Sequence, residues 1–145
     1  FKMTLDKKDN LIIEALKEDS RMPIRDIAKK TGIRPSTVHE RIKKLVKRKV
    51  IEKFTLKLNN KSVGENFIIF MLIKGGTTEY IHEKIKNKGC IKEIFGVTGE
   101  YDLLLKLKFK DVEEFNDFLI KFRKEQKGVR QTFTMVTTAN IKEVV

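Results

Sequence analysis

The sequence predicts an α+β chain: an N-terminal helix-turn-helix of the winged type, joined by a linker strand to a ferredoxin-like β-α-β-β-α-β domain. Three observations predict it. Residues 21–49 carry apolar side chains at helical spacing on both sides of a glycine corner. Residues 52–58 alternate strictly between apolar and polar, as a half-buried strand does. From residue 67 onward, apolar runs and amphipathic stretches follow one another in the order β-α-β-β-α-β. At 145 residues the chain is one domain or two small ones with separate cores. The expected divisions are 1–50, a linker over 51–64, and 65–145.

Each element has its own warrant. Asp6 caps a helix over Lys7–Asp19 whose apolar residues Leu5, Ile12, Ile13 and Leu16 face a common core. Pro23 presets φ for a first helical position, and Ile24, Ile27 and Ala28 share one face. Gly32 supplies the left-handed cap, Ile33 plugs the corner, and Pro35 restarts a helix with Val38, Ile42, Leu45 and Val46 inward. After Val50-Ile51, the residues Phe54, Leu56 and Leu58 lie on one side of a strand and Lys53, Thr55 and Lys57 on the other. Asn59-Asn60-Lys61 make a polar turn, and Gly64 sits in the loop beyond it.

Phe67–Ile73, bounded by Asn66 and Gly75-Gly76, suits a central strand. Glu79–Lys88 reads as a helix with Ile81 and Ile85 inward and Gly89 at its end. Ile91–Val97 and Asp102–Phe109 are the next strands; Leu103, Leu105, Leu107 and Phe109 face one way. Asp111 caps a helix with Val112, Phe115, Phe118, Leu119 and Phe122 on its inner stripe, and Gly128 ends it. Val129–Thr138 is the last strand. Two helices on one sheet face leave the other uncovered, which implies a partner subunit.

The helix after the corner carries the functional signal. With Val38, Ile42 and Leu45 inward, Ser36, Glu40, Lys43, Lys44 and Lys47 point outward, flanked by Thr37 and His39, with Arg41 at the edge and Arg34 at the start. Seven basic residues against one acid from Arg34 to Lys49 exceed what solvation of a lysine-rich surface requires. Short polar groups at the N-terminal end can reach base edges, and the lysines behind them can neutralise phosphates of double-stranded DNA. The charge distribution agrees. Of the net +12, residues 1–58 carry 17 Lys/Arg against 8 Asp/Glu, and residues 59–145 carry 15 against 12.

Other chemistry finds little support. His39 and His82 are the only histidines, no Cys/His spacing suggests a metal, and no phosphate loop or nucleophile elbow is present. Neither enzyme activity nor a cofactor is expected. The single Cys90 excludes an internal disulfide, fits a reducing cytoplasm, and suits a small buried residue at a strand start. No apolar run nears the ~20 residues of a membrane span, and no signal peptide opens the chain, so no membrane partner is expected. Sparse Gln with abundant Lys and Ile suits a heat-loving archaeon or an AT-rich genome.

The chain resembles the Lrp/AsnC ("feast/famine") regulators. Leu5-Asp6, Ile27-Ala28-Lys29-Lys30-Thr31-Gly32-Ile33, Ser36–Leu45 and Val50-Ile51 are similar to that family's DNA-binding half, and Thr98-Gly99-Glu100-Tyr101-Asp102-Leu103 carries its Gly-x-Tyr-Asp signature. The resemblance implies homodimers formed through the linker strand and open sheet faces, assembling further into tetramers or octamers. It also implies an amino-acid or related small-molecule effector near dimer–dimer contacts, and control of amino-acid metabolism genes. In the hairpin itself, Gly99 permits a positive φ, Asp102 can accept from a ligand ammonium or hold neighbouring backbone donors, and Tyr101 can close a pocket. Thr98 and Glu100 flank these, and Thr132 and Thr134 on the last strand could line the same pocket. Two other readings remain: an architectural DNA binder of low specificity, and an enzyme on the same scaffold, since haem-pathway decarboxylases share the overall fold.

Overall fold

In the computed structural model, which describes residues 4–75, 83 and 85–145, Asp6 opens the first helix with a capping box. Its carboxylate accepts from Asp9 N at 2.8 Å, and the Asp9 carboxylate accepts from Asp6 N at 3.3 Å, so two backbone donors at the helix start are satisfied reciprocally. The helix α1 spans Lys7–Glu18, α2 spans Ile24–Thr31 and α3 spans Pro35–Lys47. Pro23 is the N-cap of α2 rather than its first helical residue; its carbonyl accepts from Asp26 N and Ile27 N, and its φ of −59° suits either position. Gly32 ends α2 at φ +72°, where a side chain would be strained.

Ile12, Ala15, Ile27, Ala28, Ile33, Val38 and Leu45 form the core of this first unit, which runs to Leu56. Ile42 is partly buried beside them. Val46 is 42 % exposed and does not belong to the inward set, because Leu45 holds the core-facing position and the next residue turns about 100° away. No glycine stops α3. Lys49 takes φ +56°, and Val50 N and Ile51 N both donate to Leu45 O, at 2.9 and 3.2 Å. Val50 and Ile51 then pack on the core.

The expected linker strand is not formed. Residues 52–58 are irregular and exposed, with Leu56 69 % exposed beside similarly open Phe54 and Leu58. The apolar alternation is there, but a strand also needs a neighbour to accept and donate its backbone bonds, and one chain supplies none here. For the same reason no wing strand follows α3 among the described residues. A hydrogen-bonded turn follows: Glu65 N donates to Asn60 O at 2.8 Å and Ser62 N to Asn59 Oδ1 at 3.0 Å.

The second unit, Lys57–Val144, holds a four-stranded antiparallel sheet in the order β2-β3-β1-β4. Here β1 is Phe67–Lys74, β2 Ile91–Gly96, β3 Leu103–Phe109 and β4 Gln131–Val136. The last strand is shorter than its apolar pattern suggests: its paired residues run from Gln131 to Val136, with Arg130 N donating to Lys74 O and Thr137 N to Ile68 O just beyond either end. Of the expected helix over 79–88, residues 79–82 and 84 lie outside the described residues, as do Gly76 and His82; Glu83, Ile85 and Lys86 are helical. The helix α4, Val112–Glu125, is capped by Asp111, which accepts from Glu114 N at 2.9 Å.

Ile69, Met71 and Ile73 face Leu107, Leu105 and Leu103 across the β1–β3 pair, and this side packs against Ile85, Phe118 and Phe122. Phe109 sits edge-on to Phe115 at 5.5 Å between centroids. Val112 is 57 % exposed, one turn before the first α4 residue that touches this core. The C-cap of α4 is Gln126 rather than Gly128. The close approach near Gly128 depends on Gly75, at φ +84°, where a Cβ would lie 2.8 Å from Gly128 O. Cys90 is half-buried just before β2, and burial pushes its thiol pKa up.

The opposite face presents Phe70, Leu72, Leu104, Phe133 and Met135 with Lys106 and Lys108. Part of it is covered after all. Beyond β4, residues 137–143 line a groove against Ile68, Phe70 and Lys106. Leu105 is fully buried on the helix-packed side.

Candidate nucleic-acid interface and ligand hairpin

The outward face of α3 is as the helical period places it. Ser36, His39, Glu40, Lys43, Lys44 and Lys47 are exposed, Thr37 is half-buried beside them, and Arg34 is the N-cap. No side chain caps α3, so the Ser36 and Thr37 amides at its start have no intrahelical acceptor and can meet a phosphate, favoured by the helix dipole. Lys43 and Glu40 stand 4.0 Å apart with both side chains more than half exposed, a pair that holds neither residue back from a ligand.

Arg41 departs from the expectation. Its Nη1 donates to both Asp6 oxygens, at 2.7 and 2.6 Å, and to Asp9 Oδ1 at 3.0 Å. The Arg41 bond holds the Asp6 carboxyl below its ordinary pKa, helped by the backbone bond from Asp9; Arg41 is raised in turn by its side-chain bonds to Asp6 and Asp9. Arg41 therefore clamps α3 to the start of α1 and is spoken for within the unit. Arg41→Ala is expected to lower the melting temperature while leaving the salt dependence of DNA binding unchanged. Removing a residue that neutralises a phosphate would instead reduce the slope of log K against log salt by about 0.9, so the two roles separate in one titration series.

In the second unit the hairpin between β2 and β3 uses Asp102 structurally. Gly75 N donates to Asp102 Oδ2 at 2.6 Å, Asp102 N donates to Ile73 O at 2.8 Å, and Val97 N donates to Asp102 O at 2.9 Å. Asp102 thus pins the hairpin to the end of β1, the second of the two roles open to it. Gly99 adopts φ +112° with open space where a Cβ would stand, so backbone conformation alone requires glycine there. Thr98, Gly99 and Glu100 are exposed, and Glu100 lies 3.7 Å from Lys74. The Tyr101 ring lies 6.4 Å from that of Phe133.

The expected single pocket with Thr132 and Thr134 does not form. Those residues stand opposite Ile73 and Met71, on the helix-packed face, whereas Phe133 stands opposite Leu72 on the open face. Residues alternate sides along a strand, so Tyr101 with Phe133 and the two threonines address opposite faces of the sheet.

One cluster has no counterpart in the sequence pattern. The Glu143 carboxylate accepts from Lys57 and Lys108 at 3.0 Å, from Asn60 Nδ2 at 3.1 Å, and from Lys106. Its partners lie 35 to 86 residues away, beyond any local pattern. The one available signal is that Lys106 and Lys108 alternate with leucines in β3 and need a counter-charge on the open face.

Among the described residues, no helix is long and apolar enough to cross a membrane, and no cluster of His, Cys, Asp and Glu could hold a metal ion. Residues 5–46 match the AsnC-type helix-turn-helix domain and residues 67–144 the Lrp/AsnC ligand binding domain. The chain is 40 % identical over 141 residues to the HTH-type transcriptional regulator FL11 of Pyrococcus furiosus, covering 96 % of this chain and 93 % of that one. The FL11 regulator of Pyrococcus abyssi is 39 % identical, covering 99 % and 95 %. In fold, the chain is similar to LrpC of B. subtilis (TM-score 0.86, 27 % identity, 97 % and 99 % covered). It is also similar in fold to a Neisseria meningitidis transcriptional regulator solved as a complex with L-Met (TM-score 0.90, 23 % identity, 97 % and 94 % covered). With both domains matched in order along nearly the whole chain, this protein belongs to the Lrp/AsnC family of helix-turn-helix transcriptional regulators.

Proposed function

We propose that the protein is a dimeric, site-specific DNA-binding regulator whose assembly or DNA affinity responds to a small polar metabolite, an amino acid above all. The observation that carries the DNA half is the outward face of α3: exposed short polar residues at its N-terminal end, exposed lysines behind them, and an uncapped helix start. That division of labour suits base reading by Ser36, Thr37, His39 and Glu40, and phosphate neutralisation by Lys43, Lys44 and Lys47. The dimer is supported by apolar surface left open on the sheet and along Phe54, Leu56 and Leu58. Two helices related by a two-fold axis then meet half-sites about one helical turn, or a multiple, apart.

The effector half rests on the exposed hairpin Thr98–Glu100 beside Tyr101, together with the ligand-binding domain match and the L-Met complex of the Neisseria relative. A ligand there biases assembly only by its difference in affinity between assembled states, typically about 1–3 kcal/mol. Asp102→Ala is a poor probe, because it strands the Gly75 amide. Glu100→Ala tests the site cleanly: it leaves the fold intact and is expected to weaken a ligand ammonium contact about tenfold. Calorimetric screening of the twenty amino acids, with particle size followed in parallel, checks this. Silence across the panel would favour an effector-independent regulator instead.

A further inference from the structure

The outward face of the basic helix α3 carries one acid, Glu40, and it stands in the middle of that face rather than at its rim. Ser36, Glu40 and Lys44 follow at four-residue steps, so they form one stripe with about 6 Å between successive positions along the axis. The stripe borders a hollow that it shares with Thr37 and with the start of α1 at Asp6 and Asp9. The other two carboxylates on this hollow are taken, because Asp6 and Asp9 both accept from Arg41 Nη1. Glu40 is not. Among the described residues its partner is Lys43, at 4.0 Å, too far for a hydrogen bond. An exposed pair of that kind contributes little to the stability of the helix, so stability gives no strong reason for an acid at this position.

DNA binding makes the position demanding. A helix laid in the major groove with this face inward sets its central side chains against base edges and its lysines near phosphates. A carboxylate at the centre loses its water there and is repelled by the phosphates on either side, so it opposes binding unless a base donates to it. Two groups in the major groove can donate, the cytosine N4 amino group and the adenine N6 amino group. Guanine O6 and N7 and thymine O4 only accept, and would repel it. Adenine sets its N7 lone pair beside N6, where it faces the second carboxylate oxygen, whereas cytosine has a C–H next to N4. Cytosine is the base that a carboxylate meets without opposition.

We propose that Glu40 is a specificity-determining residue that reads one cytosine in each half-site by accepting from its N4 amino group. This rests on the reading above, in which the outward face of α3 contacts bases. The same carboxylate weakens binding wherever DNA offers no donor at that place. Glu40 therefore separates target from bulk DNA twice over, by an attraction at the right base and a repulsion at the others.

The test uses the full-length protein and two variants, Glu40→Gln and Glu40→Ala. Both should stay folded, because Glu40 is exposed and makes no hydrogen bond that its loss would strand. Each protein selects its motif from a random duplex pool, and affinities are then measured on four duplexes that differ only at the base pair in question. The wild type should require cytosine at one position of each half-site and bind that duplex about ten- to a hundredfold tighter than the other three. Glu40→Gln should move the preference at that position to adenine, since an amide accepts from N6 and donates to N7 at once. Glu40→Ala should leave the position degenerate and the rest of the motif unchanged. Both variants should bind random DNA more tightly than the wild type, with the salt slope unaltered, because a repulsion is removed and no phosphate contact is lost. One motif from all three proteins would overturn the proposal and leave Glu40 a solvated partner of Lys43. So would a position that responds to both variants but holds a base other than cytosine in the wild-type motif. A wild type that selects no motif removes base reading by α3 itself, a failure visible before any variant is made.

Discussion

Replacing Lys43, Lys44 and Lys47 together by alanine is expected to reduce the salt slope of DNA binding by about 0.9 for each phosphate no longer neutralised. Because the binding constant scales with salt raised to that slope, leaving three phosphates without their lysines weakens binding on the order of a hundredfold near 0.15 M salt. The decrease should be nearly uniform across sequences, since phosphates carry no base identity. All three side chains are exposed on α3, away from Val38 and Leu45, so the helix-turn-helix core should stay folded. Isotherms at four or five salt concentrations check this. An unchanged slope would move the DNA contact off this helix.

Phe133→Asp should convert the protein to folded monomers and lower affinity for a two-half-site duplex by on the order of 10²–10⁴, the gain that linking two sites provides. Phe133 is 49 % exposed on the open sheet face, opposite Leu72, so a carboxylate there meets water in the single chain and an apolar surface in the proposed dimer. Leu105→Asp is the contrasting control. Leu105 is buried among Met71, Phe118 and their neighbours, and a charge there should unfold the second unit outright. Analytical ultracentrifugation with circular dichroism separates the two results. A Phe133→Asp protein that remains a tight dimer would place the interface elsewhere.

Much of this architecture is legible in the residues because it is local. Asp6, Gly32 and Asp111 mark helix ends through bonds or backbone conformations within four residues, and the antiparallel sheet follows from alternating leucines in β3 and an apolar run in β1. What escapes the sequence depends on distant partners. The alternation over 52–58 reads as a strand, yet strand formation waits on a neighbour that one chain lacks. Arg41 has the spacing of a DNA contact, but Asp6 and Asp9, 35 and 32 residues upstream, claim it first. Asp102 reads equally as ligand acceptor and as turn residue until the Gly75 amide is seen 2.6 Å away. Thr132 and Thr134 can be assigned to a face only once the β1–β4 register is fixed. Lys49 stops α3 in a conformation normally left to glycine, and nothing in its neighbours announces it.

Base reading by the outward face of α3 is the proposal on which the others depend. Selection from a random duplex pool, run in parallel with the wild type and with a variant carrying Thr37→Ala and His39→Ala, puts it to a direct test. The wild type should enrich a two-fold symmetric motif at least about a thousandfold over random DNA. The variant should enrich a different or degenerate motif with its salt slope unchanged, since its lysines remain. Identical motifs from both proteins, or no motif from the wild type, would rule out base reading by this face and favour a binder that grips DNA without reading it.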